Sequence, residues 1–174
     1  YKRWPVDRFA AVLKVLTAQN IMPVLIGSTG DIGVSAALVQ LMGETCLDAT
    51  GKTSLRELVS LVRGSVLLLT NDSATVHIAV AVKCPFVCIT GGGQYGMFQD
   101  YGYSDVNLWA ATRSSCYGDN WRCGGSVRTG EPSPCIAAVS VVLVREKLAA
   151  LLGHLDQAEQ QGISCPAVPF RLEF

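Results

Sequence analysis

Asp72, Ser73, Thr75 and His77 stand close together directly after the apolar run at 66–69, and their types suit sugar and phosphate chemistry. A short run of purely apolar residues reads as a strand covered on both faces, and Asp and Ser are favoured at helix N-termini. In an open α/β sheet, ligands bind beyond the carboxyl ends of the strands, where the free N–H groups of a helix start attract anions. The segment is therefore a candidate phosphate and sugar site, in which the N–H groups of Ser73, Ala74 and Thr75 can face an anion and Asp72 offers a carboxylate. Simple N-capping by Asp72 is the competing role, and a carboxylate has acceptor sites enough for both. His77 lies on an otherwise apolar segment, so a core histidine with two partners competes with a ligand-facing one.

Other residues offer related chemistry. Asp31 follows a short apolar strand, from which an acid can read ribose hydroxyls or cap the next helix. Thr53 and Ser54 precede another helix and can line a nucleotide pocket. Gly91 and Gly92, with Gly93, let a backbone approach a ligand closely. Lys2 is a point charge suited to a phosphate, against the default of a solvated surface lysine.

The elements that must carry these residues alternate. Phe9, Val12, Leu13 and Leu16 recur at helical spacing in a predicted helix over 4–19, with Pro5 in its first turn. A strand over 22–26 stops at Gly27, a helix runs from Asp31 to about 42, and Cys46 and Leu47 suggest a brief strand. Ser54 and Glu57 form a capping box that opens a helix to about 63. The strand at 66–69 and a helix over 73–82 follow, then strands at 85–89 and, more weakly, 106–110. A cysteine-containing loop covers about 112–134, a helix spans 136–152, and a tail over 153–174 reads as a linker or wrapping segment. Such alternation predicts an α/β fold, a Rossmann-like parallel sheet with helices on both faces, over residues 1–152. No strand precedes the first helix, although the first strand is central in the Rossmann order; its absence predicts two half-sheets and a fragment of a longer chain.

The 174 residues, 49% of them hydrophobic, suffice for one domain with a sizeable core. Lys plus Arg and Asp plus Glu number 14 each, so no global field attracts nucleic acid or an anionic membrane, and any anion must be held locally. No apolar run reaches the roughly 18 residues of a spanning helix, and the first residues do not read as a signal peptide; the expectation is a cytoplasmic chain without a transmembrane segment. Of seven cysteines, Cys46, Cys84 and Cys88 fall in or beside apolar segments and read as small hydrophobes. Cys116, Cys123 and Cys135 punctuate the polar loop with a spacing that matches no zinc pattern, leaving a loop-bracing cluster as the alternative.

Four motifs occur in order: Lys2-Arg3-Trp4-Pro5; Val24-Leu25-Ile26-Gly27 with Asp31; Ala49-Thr50-Gly51-Lys52-Thr53-Ser54-Leu55-Arg56-Glu57-Leu58; and Asn71-Asp72-Ser73-Ala74-Thr75-Val76-His77-Ile78-Ala79. Together they resemble the C-terminal half of glycosyltransferase family 9, the ADP-heptose:lipopolysaccharide heptosyltransferase family, over residues 2–103 and more weakly to 152. The resemblance implies a GT-B enzyme whose C-terminal domain holds a nucleotide-diphosphate sugar. No cofactor and no metal are expected. An N-terminal domain outside this sequence would bind the carbohydrate or lipid-linked glycan acceptor, in the cytoplasm and peripherally at the inner membrane. It would also supply the base for an inverting displacement. Lys2 then stabilises the leaving diphosphate, Asp72 matches the acid that holds sugar hydroxyls, and His77 lies on the donor side. Ala74 departs from the family's glycine, and Gly91-Gly92-Gly93-Gln94 departs from its loop after the strand. Asp119 stands where a cysteine-rich insertion of some relatives has another cysteine. A nucleotide-sugar 2-epimerase-like enzyme and a non-catalytic nucleotide-binding or interaction module are the alternatives.

Overall fold

The computed structural model describes residues 2–93, 106–112, 118 and 131–161. Within it the chain forms two compact units, one of Pro5–Leu58 and one of Tyr1–Trp4 with Val59–Phe174.

In the first unit, helix α1 (Val6–Thr17) follows Pro5, whose fixed φ suits a helix start and whose carbonyl accepts the N–H groups of Arg8 and Phe9. Ala10, Val12, Leu13 and Leu16 form its buried stripe, as the spacing predicts. Strands β1 (Val24–Leu25) and β2 (Leu47–Asp48) pair in parallel, Val24 opposite Leu47. Between them a 3-10 turn (Thr29–Asp31) leads into α2 (Ile32–Met42), which packs on α1. Helix α3 (Leu55–Arg63) begins in this unit and ends in the other. Its capping box is present: the Ser54 N–H and hydroxyl both donate to Glu57 Oε2 at 2.7 Å. These bonds hold the Glu57 carboxyl below its usual range, the hydroxyl contributing most.

The second unit is built on β3 (Leu68–Asn71), β4 (Phe86–Ile89) and β5 (Asn107–Ala110), all parallel, with β4 in the middle. All four β4 residues are completely buried, as a central parallel strand of continuous apolar sequence must be. Helix α4 (Ala74–Val82) packs on β3 and β4 and stops at Lys83, whose left-handed backbone (φ 59°) turns the chain. Helix α6 (Val141–Gln160) packs on β4 and β5 through Val144, Leu148, Leu151 and Leu155. Among the described residues no ladder joins the two-stranded and three-stranded sheets. No described helix is long and apolar enough to cross a membrane.

Three expectations need revision. The strand expected at 66–69 is displaced by two residues and takes in Thr70 and Asn71, because their backbones continue the ladder with Cys88 and Ile89 whatever their side chains. The helix expected over 136–152 is two helices, α5 (Pro134–Ala137) and α6, since Ser140 is extended and its hydroxyl accepts the Leu143 N–H at 3.1 Å. Helix α6 continues through Gly153 to Gln160, so helix occupies the first residues assigned to the tail. Most of the cysteine-containing loop, with Cys116, Cys123 and Asp119, and the tail beyond 161 lie outside the described residues.

Two outcomes follow from this anatomy. Ser140→Ala removes the one bond that caps α6, and chemical denaturation is expected to show a loss of about 1 kcal/mol. Asp48 accepts the Thr50 N–H at 2.9 Å, and this bond first of all holds its carboxyl below the usual range. A lowered folded pKa gives stability that is present above the unfolded value, about 3.9, and is lost as pH falls through the folded one. Asp48→Asn keeps an acceptor but does not titrate. Its stability deficit relative to the native chain should be largest near neutral pH and shrink below about pH 4.

Candidate functional site

Strands β3 and β4 end level with each other, Asn71 opposite Ile89, and the polar residues of the second unit gather at that end. The ladder extends one step beyond β3, because the Asp72 N–H donates to the Ile89 carbonyl at 3.0 Å. This bond fixes the Asp72 backbone while its carboxylate remains directed elsewhere. Ser73, not Asp72, occupies the N-cap position of α4, and no side chain caps the helix. The carboxylate instead lies 3.9 Å from Lys2 Nζ, with the acid 15% and the lysine 31% exposed. Both are partly desolvated and both remain reachable.

Thr70, Ser73 and Thr75 form a triangle of hydroxyls beside the pair. Thr70 Oγ1 and Ser73 Oγ each lie 2.8 Å from Thr75 Oγ1. Thr70 donates to the Asn71 carbonyl at 2.9 Å, so Thr75 donates to Thr70 and Ser73 to Thr75. Every hydroxyl proton is thereby used internally. The Ser73 hydroxyl makes no cap bond to α4 and the Val76 N–H donates to the Ser73 carbonyl at 3.1 Å, so the N–H groups of Ala74 and Thr75 are the candidate anion donors at this end of the sheet.

Ala74 is exposed, and its backbone is not left-handed. The glycine of the family pattern is thus not required here by conformation, and the alanine methyl matters only as volume. His77 is exposed one turn further on, so it is not a core histidine. Beneath the ion pair, Cys88 is buried, and its thiol is pushed well above the usual range by burial and then by the Asp72 charge, with Lys2 opposing. That thiol is an inert apolar floor, not a nucleophile. Gly91, Gly92 and Gly93 follow β4 at the same end but are buried, and the Gly92 carbonyl accepts the Gly118 N–H at 2.7 Å.

The remaining sequence-predicted residues belong to the other unit. Asp31 turns back, its Oδ2 accepting the Ser28 N–H at 2.9 Å and the Ser28 hydroxyl at 2.6 Å, so it closes the turn after β1 and makes no side-chain cap to α2. Gly27 is confined by this arrangement, since a Cβ there would meet Asp31 Cβ at 3.0 Å and Thr50 Cγ2 at 3.3 Å. Ser54 is committed to the Glu57 box, and Thr53 is half-buried beside it. The structure thus gathers Lys2, Asp72, Ser73, Ala74 and Thr75 at one strand end, and places Asp31, Thr53 and Ser54 in the first unit.

Sequence reasoning gave no role to Asn71, Thr70 or the Trp4 ring. Trp4 is 1% exposed; its indole Nε1 donates to the Val139 carbonyl at 2.9 Å and its backbone N–H donates to Asn71 Oδ1 at 2.9 Å. The available signal was polarity at the end of an apolar strand, which Thr70 and Asn71 both carry.

The chain is similar to known proteins both in sequence and in fold. The family model described as glycosyltransferase family 9 (heptosyltransferase) matches residues 1–120. Lipooligosaccharide heptosyltransferase 2 of Haemophilus influenzae is 36% identical over 94 residues, covering 52% of this chain and 27% of that relative. Lipopolysaccharide heptosyltransferase 3 of Escherichia coli is 29% identical over 115 residues, covering 63% and 33%. The chain therefore spans about a third or less of the curated relatives it matches. Among solved structures, E. coli ADP-heptose lps heptosyltransferase II superimposes with a TM-score of 0.72 at 22% identity, over 89% of this chain and 43% of that one. A family 9 glycosyl transferase from Veillonella parvula gives 0.69 at 24% identity, over 88% and 42%. These likenesses confirm the Rossmann-like α/β fold, and the family model extends over more than half the sequence. The chain belongs to glycosyltransferase family 9, the heptosyltransferase family.

Proposed function

We propose that this chain is the donor-binding half of a glycosyltransferase that moves a sugar from a nucleotide diphosphate to a glycan of the lipopolysaccharide type. The observation that carries the reading is the meeting of three chemically distinct groups at one strand end: the Lys2 ammonium, the Asp72 carboxylate and the uncapped start of α4. A nucleotide-diphosphate sugar presents hydroxyls and phosphates side by side. The 3.9 Å between Lys2 and Asp72 is the scale on which a sugar hydroxyl and its neighbouring phosphate oxygen are separated, so one ligand engages both. Asp72 accepts hydroxyls, Lys2 and the α4 N–H groups take the diphosphate, and His77 faces the same side from the next turn.

In the transfer, the acceptor oxygen forms a bond to the anomeric carbon as the bond from that carbon to the phosphate oxygen breaks. The electron pair leaves with the diphosphate, where Lys2 and the helix start stabilise it. The acceptor proton passes to a base, which we assign to an acceptor-binding domain outside this sequence. Work on such an acceptor places the enzyme on the cytoplasmic face of the inner membrane, held there through that domain. In the first unit, Asp31, Thr53, Ser54 and the backbone after β1 are assigned to the nucleoside, and Gly91 and Gly92 border the donor site in the second.

Calorimetric titration with ADP- and UDP-sugars tests the donor assignment. The native chain should bind one of them, and Lys2→Ala should weaken binding on the order of 10- to 100-fold through loss of a charge-assisted contact to phosphate. Asp72→Ala should weaken the sugar nucleotide more than the free nucleoside diphosphate, since its partners are the sugar hydroxyls. No binding by the native chain would favour an interaction module without donor chemistry. The same chain should transfer sugar far more slowly than a full-length relative, and equal rates would place the base within these 174 residues.

A further inference from the structure

Lys2 meets Asp72 from a segment distant in sequence, so that segment must be held against the end of β3. No strand or helix includes residues 2–5. Trp4 contributes two hydrogen bonds to holding them. The indole Nε1 donates to the Val139 carbonyl (2.9 Å) and anchors the buried ring. The Trp4 backbone N–H donates to Asn71 Oδ1 (2.9 Å), which ties the main chain itself, two residues from Lys2, to the end of β3.

Asn71 is well placed for this task. It is the last residue of β3, in register with Ile89, and its carbonyl accepts the Thr70 hydroxyl at 2.9 Å. It also directly precedes Asp72. One rigid strand end therefore defines both the backbone position of the acid and the approach of the lysine, and hence the 3.9 Å between their charges.

We infer that Asn71 is a positioning residue of the donor site, which acts by holding the Trp4 backbone so that Lys2 meets the donor diphosphate at the start of α4. The inference rests on the donor-site reading above. It makes Asn71 matter through Lys2 alone, which separates it from a residue that merely finishes a strand.

Calorimetric titration of the 174-residue chain with ADP as probe, at low and high salt, tests it on the native chain, Lys2→Ala, Asn71→Ala and the double variant. Each single substitution should weaken ADP binding on the order of 10-fold, the loss expected when a charged contact to phosphate is misplaced. The double variant should bind within about twofold of Lys2→Ala, because the two residues act in series and their effects do not add. Asn71→Ala should also lose the part of the salt dependence that Lys2→Ala loses. Losses that multiply in the double variant, an unchanged salt dependence, or native-like binding by Asn71→Ala would overturn the inference while leaving the donor site standing. Absence of ADP binding by the native chain would remove the donor site and Asn71's role together. Where Asn71→Ala does not fold, Asn71→Ser, which shortens the acceptor and keeps it polar, gives the same comparison.

Discussion

The hydrogen bond from the Asp72 N–H to the Ile89 carbonyl is the constraint on which the candidate site depends. A parallel ladder alternates its bonds, so residues 68, 70 and 72 turn their N–H groups toward β4. By continuing one residue past the last strand position, the ladder fixes the acid's backbone without using its side chain. The carboxylate meets Lys2, and the chain turns immediately afterwards, which brings the first N–H groups of α4 to the same strand end.

Electrostatics and topology make complementary demands here. With equal numbers of acidic and basic residues, the chain has no overall field for an anion, so any such attraction comes from a few groups at short range. The fold supplies one lysine, held from a distant part of the sequence by the Trp4 indole on Val139 and the Trp4 N–H on Asn71. Burying the Trp4 ring restricts the neighbouring chain with a single large apolar side chain and one satisfied indole N–H, which is economical in a segment that has no ladder of its own. The paired lysine and carboxylate also compensate each other's charge. A lone lysine or lone acid at 31% or 15% exposure would bear part of its desolvation penalty unaided.

Much of this was legible in the sequence, and the failures are informative. The α1 stripe, the Ser54 and Glu57 box and the apolar β4 run announce themselves because each is a local pattern whose physics is local. The expectation of two half-sheets also corresponds to the observed two-stranded and three-stranded groups. By contrast, Thr70 and Asn71 look like a turn and are the end of β3, since backbone pairing with β4 is indifferent to side-chain polarity. The break at Ser140 leaves only a small mark in the sequence, since the apolar Val139 and Val144 lie five residues apart where one helical face repeats at three or four. Gly153 misled for the opposite reason: it suggests a stop, yet it sits inside α6, whose apolar side is anchored on both sides of it by Leu151 and Leu155. The roles of Trp4 and Asn71 required the fold, because nothing in their spacing places them in contact.

The helix starts of this chain differ in what closes them. At α6 Ser140 accepts the Leu143 N–H and at α3 Ser54 and Glu57 form a box, whereas neither Pro5 at α1 nor Ser133 at α5 makes a side-chain cap. At the helices that come after β1 and β3 the residue in the N-cap position uses its side chain elsewhere. At α2 the Asp31 carboxylate turns back to Ser28, and at α4 the Ser73 hydroxyl turns to Thr75. After β1 the Ser28 and Asp31 box closes the turn and the Ile32 N–H donates to the Thr29 carbonyl, so of these two junctions it is α4, whose Ser73 hydroxyl turns away, that forgoes a cap at a cost of about 1 kcal/mol. The uncapped start of α4 therefore belongs with Lys2 and Asp72 in the candidate site at the end of β3.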